Sequence, residues 1–316
     1  LSSVGAIDGL QFEKKFRSIS VGAFVGSRTD YKYNIYSLKK LQYGAFVGHN
    51  YQREKQSMQT SVAFIQQQND GNTDRRFLYF QHTNALLKKV YFFGSIEMDL
   101  YEQVKTVDTV TEVISYNPQG TFNLSNLYLL LRYNISRKLS LSLSYSARNN
   151  IIYYETYKDI IDRLLESQTL QGYRLMVNYR PVKNLSLGAK FGYRFRANDP
   201  DPTKDFYGYA TYSRVPFINA SATLSVTILE TSYMKGNIYS VGFNRDLVPG
   251  KLSAGINYRY VDYNFKNAEE PLAQNIGEID LSWRIVKKLS FSVYYEGTFE
   301  KEITFNRIYA NLGYRF

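Results

Sequence analysis

The sequence contains no cysteine, only two histidines and only seven prolines among its 316 residues. Without cysteine there can be no disulfide framework and no thiolate metal site. The two histidines, His49 and His82, are too few for a histidine-rich metal centre. The longest apolar run is the short segment 127–131, whereas a membrane-spanning helix needs about 18 apolar residues. These absences exclude a disulfide-rich secreted domain and a helical membrane protein.

Aromatic residues and basic charge are abundant. The sequence has 30 tyrosines and 20 phenylalanines, and 44% of its residues are hydrophobic, yet its mean hydropathy is −0.37. Disordered chains are poor in aromatic residues, so the composition predicts a folded protein. The net charge is +11, but basic residues occur in no run longer than a pair such as Lys14–Lys15. Nucleic acid is therefore not a predicted partner.

Side chains alternate between apolar and polar along most of the sequence. In residues 185–195 the odd positions hold Leu, Ala, Phe and Tyr, whereas Ser, Gly, Lys and Arg fill the even ones. The same alternation occurs at 139–147, 173–181, 218–228, 238–245, 252–260, 277–285 and 289–295. A strand sends alternate side chains to opposite faces, so each segment predicts a strand with one apolar and one polar face. Apolar residues at every second position also explain the polar mean hydropathy.

The alternating segments are long, and the connections between them differ in length. The segments run for roughly 10 to 13 residues, against about 5 or 6 in globular sheets and about 9–11 in a tilted membrane-spanning strand. Short links lie at 88–89, 137–138, 182–184, 249–251 and 286–288, and longer ones at 28–40, 102–121, 150–168, 197–204 and 263–273. Short periplasmic turns and longer outer loops are typical of membrane-spanning barrels.

We therefore predict an all-β fold, an antiparallel transmembrane β-barrel of about 16 strands, with 14 or 18 as alternatives. The predicted strands are 18–27, 41–51, 57–67, 75–86, 90–101, 122–134, 139–149, 170–180, 185–196, 205–214, 218–229, 234–245, 251–262, 275–285, 289–299 and 304–316. All seven prolines then fall in loops, turns or strand ends, as unbroken ladders require. Residues 1–17 are a lead-in segment or a remnant strand, and residues 18–316 form the barrel as a single domain. The first residues lack the charged start and apolar centre of a signal peptide, which predicts a mature form or a fragment.

The last nine residues carry a further signal. Ile308, Ala310, Leu312, Tyr314 and Phe316 form one apolar face that ends in a terminal aromatic residue. This pattern resembles the C-terminal assembly signal of Gram-negative outer-membrane β-barrel proteins, and the abundance of Tyr, Asn and Lys resembles barrels of Bacteroidota. The resemblance implies a bacterial outer-membrane location, contact with outer-membrane lipid and lipopolysaccharide, and insertion by the barrel-assembly machinery. It also implies other outer-membrane or periplasmic proteins as partners.

Charged residues on the predicted polar faces point away from lipid, where an Arg or Lys at the midplane costs about 2–4 kcal/mol. One interpretation is a pore whose field favours anionic solutes. The other is a ladder of paired charges that fills and stiffens the lumen, and inward Tyr91, Phe93, Tyr128 and Tyr294 favour partial filling. The candidate pore-lining residues are Arg132, Arg174, Arg180, Lys190, Arg194, Arg259, Arg284, Arg307, Arg315, Glu97, Asp99, Glu278, Asp280 and Glu296.

One segment outside the predicted strands has helical periodicity. Residues 153–167 place Tyr157, Ile160, Ile161, Leu164 and Leu165 at the i, i+3, i+4 spacing of an amphipathic helix. The apolar face of such a helix must be buried. It would pack against neighbouring loops, constrict the barrel mouth or dock a partner protein.

Catalysis is not predicted. His82 shares a strand face with Asn84, but serines on a polar face are expected without catalysis, and phosphate-binding and calcium-binding loops are absent. We predict no enzyme, no cofactor and no metal site. The predicted function is a porin-like channel for small hydrophilic solutes, with anionic solutes favoured, by analogy with barrels of this size. The alternative is a structural or anchoring barrel subunit of a larger outer-membrane complex.

Overall fold

The computed structural model describes residues 7–28, 37, 39–54, 56–107, 114–148, 170–196, 201–267 and 270–315. These residues form a 17-stranded antiparallel sheet. The strands are β1 (Ile7–Phe16), β2 (Ile19–Arg28), β3 (Leu41–Arg53), β4 (Gln56–Asn69), β5 (Asn72–Asn84), β6 (Val90–Val107), β7 (Ile114–Asn134), β8 (Leu139–Arg148), β9 (Leu170–Tyr179), β10 (Leu185–Arg196), β11 (Thr203–Tyr212), β12 (Ser221–Glu230), β13 (Met234–Val248), β14 (Leu252–Phe265), β15 (Leu272–Val286), β16 (Leu289–Phe299) and β17 (Thr304–Tyr314).

The predicted fold class is confirmed. Every predicted strand overlaps an observed one, and β1 is added to them, so the described residues hold 17 strands against about 16 predicted. β1 pairs along its whole length with β2, from Ile7 opposite Arg28 to Phe16 opposite Ile19. The domain boundary after residue 17 stays a prediction. Within the described residues, no helix combines the length and the apolarity needed to cross a bilayer.

Some predicted links are wrong in their extent. In the link 102–121, residues 102–107 belong to β6 and 114–121 to β7, which pair there, and Pro118 lies inside β7 opposite Gln103. The ladder tolerates a proline where its missing N–H is not needed. Conversely, β12 begins at Ser221 rather than at 218, because residues 216–218 form a turn, with positive φ at Phe217 (67°) and Asn219 (50°). The apolar alternation of that segment continues into a turn that the pattern alone does not reveal.

The chain divides into two compact units. Unit 1 comprises Leu1–Tyr133, Leu143–Gly172 and Arg196–Asn198, and unit 2 comprises Asn134–Ser142, Tyr173–Phe195 and Asp199–Phe316. Unit 1 contains β1 to β7 apart from the last residue of β7, and unit 2 contains β10 to β17 apart from the last residue of β10. In each unit the consecutive strands pair as antiparallel neighbours.

In unit 1 both faces of the sheet carry apolar side chains. One face is exposed and bears Val21, Val25, Val47, Val62, Phe64 and Phe80. The opposite face, which we call the packed face, holds a buried cluster of Phe24, Ala63, Ile65, Phe77 and Tyr79, with Ile7 and Phe46 packed against it. Ile65, Phe77 and Tyr79 have no solvent exposure. The packed face is therefore a buried core. The sequence pattern predicted one apolar and one polar face and did not predict this core.

In unit 2 the two faces differ as predicted. Strand pairing aligns an apolar, largely exposed row across β13 to β17, made of Phe243, Ile256, Ile279, Tyr295 and Ile308. The other face, which we call the polar face, carries hydroxyl, amide and charged side chains. Exposed apolar side chains on one face and polar ones on the other match the lipid and lumen sides of membrane-spanning strands.

Candidate functional site

A buried ion-pair network lies on the packed face of unit 1, with Arg75 at its centre. Arg75 Nε donates to Asp99 Oδ1 at 2.7 Å, and its Nη2 donates to Glu97 Oε2 and Ser125 Oγ, each at 2.9 Å. The guanidinium carbon lies 4.0 Å from the centre of the Phe77 ring. Arg75 and Glu97 are each only 4% exposed. The cation is thus held by two carboxylates in a dry environment, where loss of either partner is costly.

Further polar contacts extend this network across the unit. Arg28 pairs with Asp74 at 2.8 Å, and Gln67 Nε2 donates to Gln42 Oε1 at 2.9 Å. All these groups are largely buried. Two residues predicted to line a pore, Glu97 and Asp99, therefore lie in a packed interior and bind Arg75. Sequence reasoning missed Arg75 because it sits beside another arginine in a segment where both faces are apolar.

A second group of charges crosses the polar face of unit 2. Asn257, Glu278, Glu296 and Arg307 are direct register partners across β14, β15, β16 and β17, and we call them the charge row. Asn257 Nδ2 donates to Glu278 Oε2 at 2.9 Å. Arg307 Nη1 donates to Glu296 Oε1 at 3.3 Å. Tyr294 donates its hydroxyl to Glu296 Oε2 at 3.0 Å.

The charge row places two carboxylates opposite each other. Like charges directly across a strand pair are destabilising. Here each carboxylate has its own arginine, since Arg259 forms an ion pair with Glu278 and Arg307 forms one with Glu296. The charges of Arg259, Glu278, Glu296 and Arg307 cancel, so the charge row together with Arg259 contributes little net field. For these residues the paired-ladder interpretation describes what the structure contains.

A cationic patch on β9 and β10 has a different character. Lys190 and Arg194 lie opposite Tyr207 and Thr203 of β11, and the carboxylate on that strand is Asp205, opposite Gly192. Arg174 of β9 lies on the same face as Lys190 and Arg194. Tyr209 of β11 passes over Gly188 and donates its hydroxyl to Asn178 of β9 at 3.3 Å. Asn178 therefore lies on the polar face, and Arg174, four residues earlier on the same strand, lies there too.

The patch is not neutralised locally. Among the described residues, Arg174, Lys190 and Arg194 make no ion pair. These side chains are at least partly accessible. With Asp205 as the carboxylate on the neighbouring strand, the patch keeps a positive excess.

Other predicted pore-lining residues lie at strand ends. Arg132 lies near the end of β7 opposite Tyr91. The backbone N–H of Arg180 donates to the carbonyl of Lys138 at 2.7 Å, and that of Arg315 donates to the carbonyl of Lys288 at 2.8 Å. Arg284 lies near the end of β15, whereas Asp280 lies near the middle of that strand, and both side chains are exposed.

A separate ion-pair cluster of unit 2 lies at the start of β11 and β13 and at the end of β12 and β14. Lys266 pairs with Asp201, and Lys235 and Lys204 approach Glu230 at 2.9 and 3.8 Å. The hydrogen bond from Lys266 is the main cause that holds the pKa of the Asp201 carboxyl below its usual range. Both carboxylates are thus matched by lysines.

Some predicted site residues are not placed. The helical segment with Tyr157, Ile160, Ile161, Leu164 and Leu165 lies outside the described residues, as does Phe316. The other assembly-signal residues lie on β17, where Ile308, Leu312 and Tyr314 are exposed on the apolar face. His82 lies on the exposed face of unit 1, with its Nδ1 2.8 Å from Thr60 Oγ1. In the part of the chain that the structure describes, no group of at least three His, Cys, Asp or Glu residues could hold a metal ion.

The sequence matches no protein-family model and no curated protein. Solved structures do match. The copper transporter OprC superposes with a TM-score of 0.57 at 10% identity, over 98% of this chain and 65% of OprC. OccAB4 of Acinetobacter baumannii gives a TM-score of 0.47 at 10% identity, over 94% of this chain and 96% of that protein. A loop-deletion mutant of OmpT, an outer membrane protein of Vibrio cholerae, gives 0.44 at 12% identity, over 98% of each chain. The chain spans about two thirds of OprC, and the likeness shows that it has the fold of bacterial outer-membrane β-barrel proteins.

Proposed function

We propose that the chain resides in a bacterial outer membrane and passes small hydrophilic solutes along the polar face of unit 2. The observation that carries this proposal is the contrast between the two faces of that unit. The apolar face is exposed at positions such as Ile256 and Ile308, which suits contact with lipid. The polar face offers accessible hydroxyl, amide and charged groups, which suit a hydrated path.

The charge distribution favours anionic solutes. The charge row together with Arg259 is neutral, whereas the cationic patch of Arg174, Lys190 and Arg194 keeps a positive excess beside Asp205. Fixed charges along a hydrated path raise the local concentration of ions of opposite sign. OprC is a copper transporter, and solute passage is the part of that activity that we extend to this chain, as an analogy of fold.

Ion selectivity in planar bilayers tests the proposal. The full chain should conduct, and its reversal potential in a KCl gradient should show anion preference. The double variant Lys190→Glu, Arg194→Glu should shift that preference toward cations, because it reverses two charges of the patch. The matched control, Lys190→Arg with Arg194→Lys, keeps both charges and should keep the selectivity. Identical selectivity in all three proteins would show that the patch does not line the path.

One observation favours a second function. The packed face of unit 1 is filled by Ile65, Phe77, Tyr79 and the Arg75 network, which suits a rigid structural or anchoring barrel subunit. A folded protein that conducts no current and co-purifies with stoichiometric outer-membrane or periplasmic partners would favour that function over a channel.

A further inference from the structure

A groove of about 380 Å³ lies on unit 2 where β13 to β17 approach their short connections. We call it the serine groove. It is lined by Asp246, Gly250, Lys251, Leu252, Ser253, Ser282, Trp283, Arg284, Ser290, Phe291, Ser292 and Asn311. Its volume falls in the range of small-molecule sites. Four of its lining side chains are serines.

Three of the four serines form a continuous row, whereas the hydroxyl of Ser290 donates to the carbonyl of Gly313 at 3.4 Å. Ser253 lies opposite Ser282, Ser282 opposite Ser292, and Ser292 opposite Asn311. Elsewhere on the polar face, neighbouring hydroxyls bind each other, as in the Ser225–Ser240 pair at 2.7 Å. Within the described residues, the hydroxyls of Ser253, Ser282 and Ser292 make no hydrogen bond. Donors that are accessible and unused are available to a ligand.

Two cations stand at the edge of this row. The backbone N–H of Arg284 donates to the carbonyl of Lys251 at 2.6 Å, so the two residues are neighbours. In the part of the chain that the structure describes, neither side chain makes an ion pair. The ladder shifts register between Asp246 and Val248 on β13 and again between Arg284 and Val286 on β15. Such bulges re-aim side chains and are frequent beside functional sites.

These donors have the chemistry of an oxyanion site. Arg and Lys supply charge, and the hydroxyls supply neutral hydrogen bonds, in the combination that binds phosphate or carboxylate oxygens. We propose that the serine groove is a binding subsite for the phosphate or carboxylate group of a soluble solute. This inference rests on the proposed function and locates a binding step on the path. Asp246 lines the same groove, and its negative charge weakens anion binding there.

Calorimetric titration with inorganic phosphate tests the subsite on the full chain, folded in a neutral detergent. The wild-type protein should bind phosphate, and the double variant Lys251→Gln, Arg284→Gln should weaken binding about ten-fold or more, as expected for loss of charged hydrogen bonds. Asp246→Asn should strengthen it. Lys183→Gln removes one cation from another turn and should leave binding unchanged.

The outcomes separate the subsite from the channel. Absence of phosphate binding, or equal weakening by Lys183→Gln, would overturn the subsite and leave the selectivity of the channel intact. A protein that binds phosphate through Lys251 and Arg284 but conducts nothing would overturn the channel and leave the subsite. In micelles doped with phosphatidylglycerol, phosphate should still bind. Full blockage by that lipid would assign the groove to a lipid headgroup and overturn a soluble ligand.

Discussion

At the scale of single residues, a repeated pentapeptide gains a physical explanation. Gly-Ala-Phe-Val-Gly occurs at 22–26 and again at 44–48. The two copies lie on the paired strands β2 and β3, with Gly22 opposite Phe46 and Phe24 opposite Gly44. Each phenylalanine therefore lies over the first glycine of the other copy. The sequence shows the repeat, but only the antiparallel register shows that the copies complete each other.

Replacement of Gly44 by alanine should destabilise unit 1. An added Cβ would lie 2.5 Å from the carbonyl oxygen of Phe64 and 2.9 Å from the ring of Phe24, and overpacking of this kind costs about 1–3 kcal/mol. The thermal midpoint of the β-sheet circular dichroism signal should fall accordingly. Gly277→Ala is the matched control, because nothing lies within 4 Å of its added Cβ. An equal midpoint for both variants would contradict this packing.

At the scale of elements, the alternation of apolar and polar residues predicted where the strands lie. It predicted the environment of their two faces in unit 2 but not in unit 1. It placed β10 to β17 correctly apart from the start of β12, since in these strands one face is apolar and the other polar. It did not distinguish the packed face of β4 and β5, where Ile65, Phe77 and Tyr79 are buried opposite exposed Phe64 and Phe80. Strands that are apolar on both faces have no clear alternation to read. For the same reason Arg75 could not be identified as the partner of Glu97 and Asp99.

Replacement of Arg75 by methionine should destabilise this part of the sheet. The change leaves Glu97 and Asp99 without their cation, and breaking a buried ion pair costs about 3–5 kcal/mol. The midpoint of urea unfolding should fall strongly. The double variant Arg75→Met, Glu97→Gln removes one of the two stranded charges and should be less destabilised than the single variant.

Arg76→Met is the matched control for Arg75. Arg76 is half-buried on the same strand, and its side chain donates to Gln66 at 2.6 Å rather than to a carboxylate. Its loss should cost much less than that of Arg75. If both single variants unfold at the same urea concentration, charge compensation does not explain the role of Arg75.

At the scale of the whole molecule, the exposed apolar face is explained by the medium that surrounds it. In unit 2 this face extends to β17, where Ile308 is 71% and Leu312 is 65% exposed. Such exposure would be an aggregation hazard in water, but it suits a strand that faces hydrocarbon. Average hydropathy could not show this, because polar residues at alternate positions cancel the apolar ones. Alternation predicts it only when it is combined with the long strands, the unequal links and the apolar pattern of the last residues.

Replacement of Ile308 and Leu312 by asparagine should impair insertion of the protein into lipid vesicles. Each change removes an apolar side chain whose contact with hydrocarbon is worth about 1.5–3 kcal/mol. The fraction of folded protein, measured by its resistance to unfolding in cold SDS, should fall. Tyr309→Asn makes a similar change on the polar face of the same strand, where the side chain is 61% exposed and stacks with Tyr294. It should insert nearly as well as the wild type. If Tyr309→Asn fails to insert while the double variant Ile308→Asn, Leu312→Asn inserts normally, the assignment of the two faces of β17 is wrong.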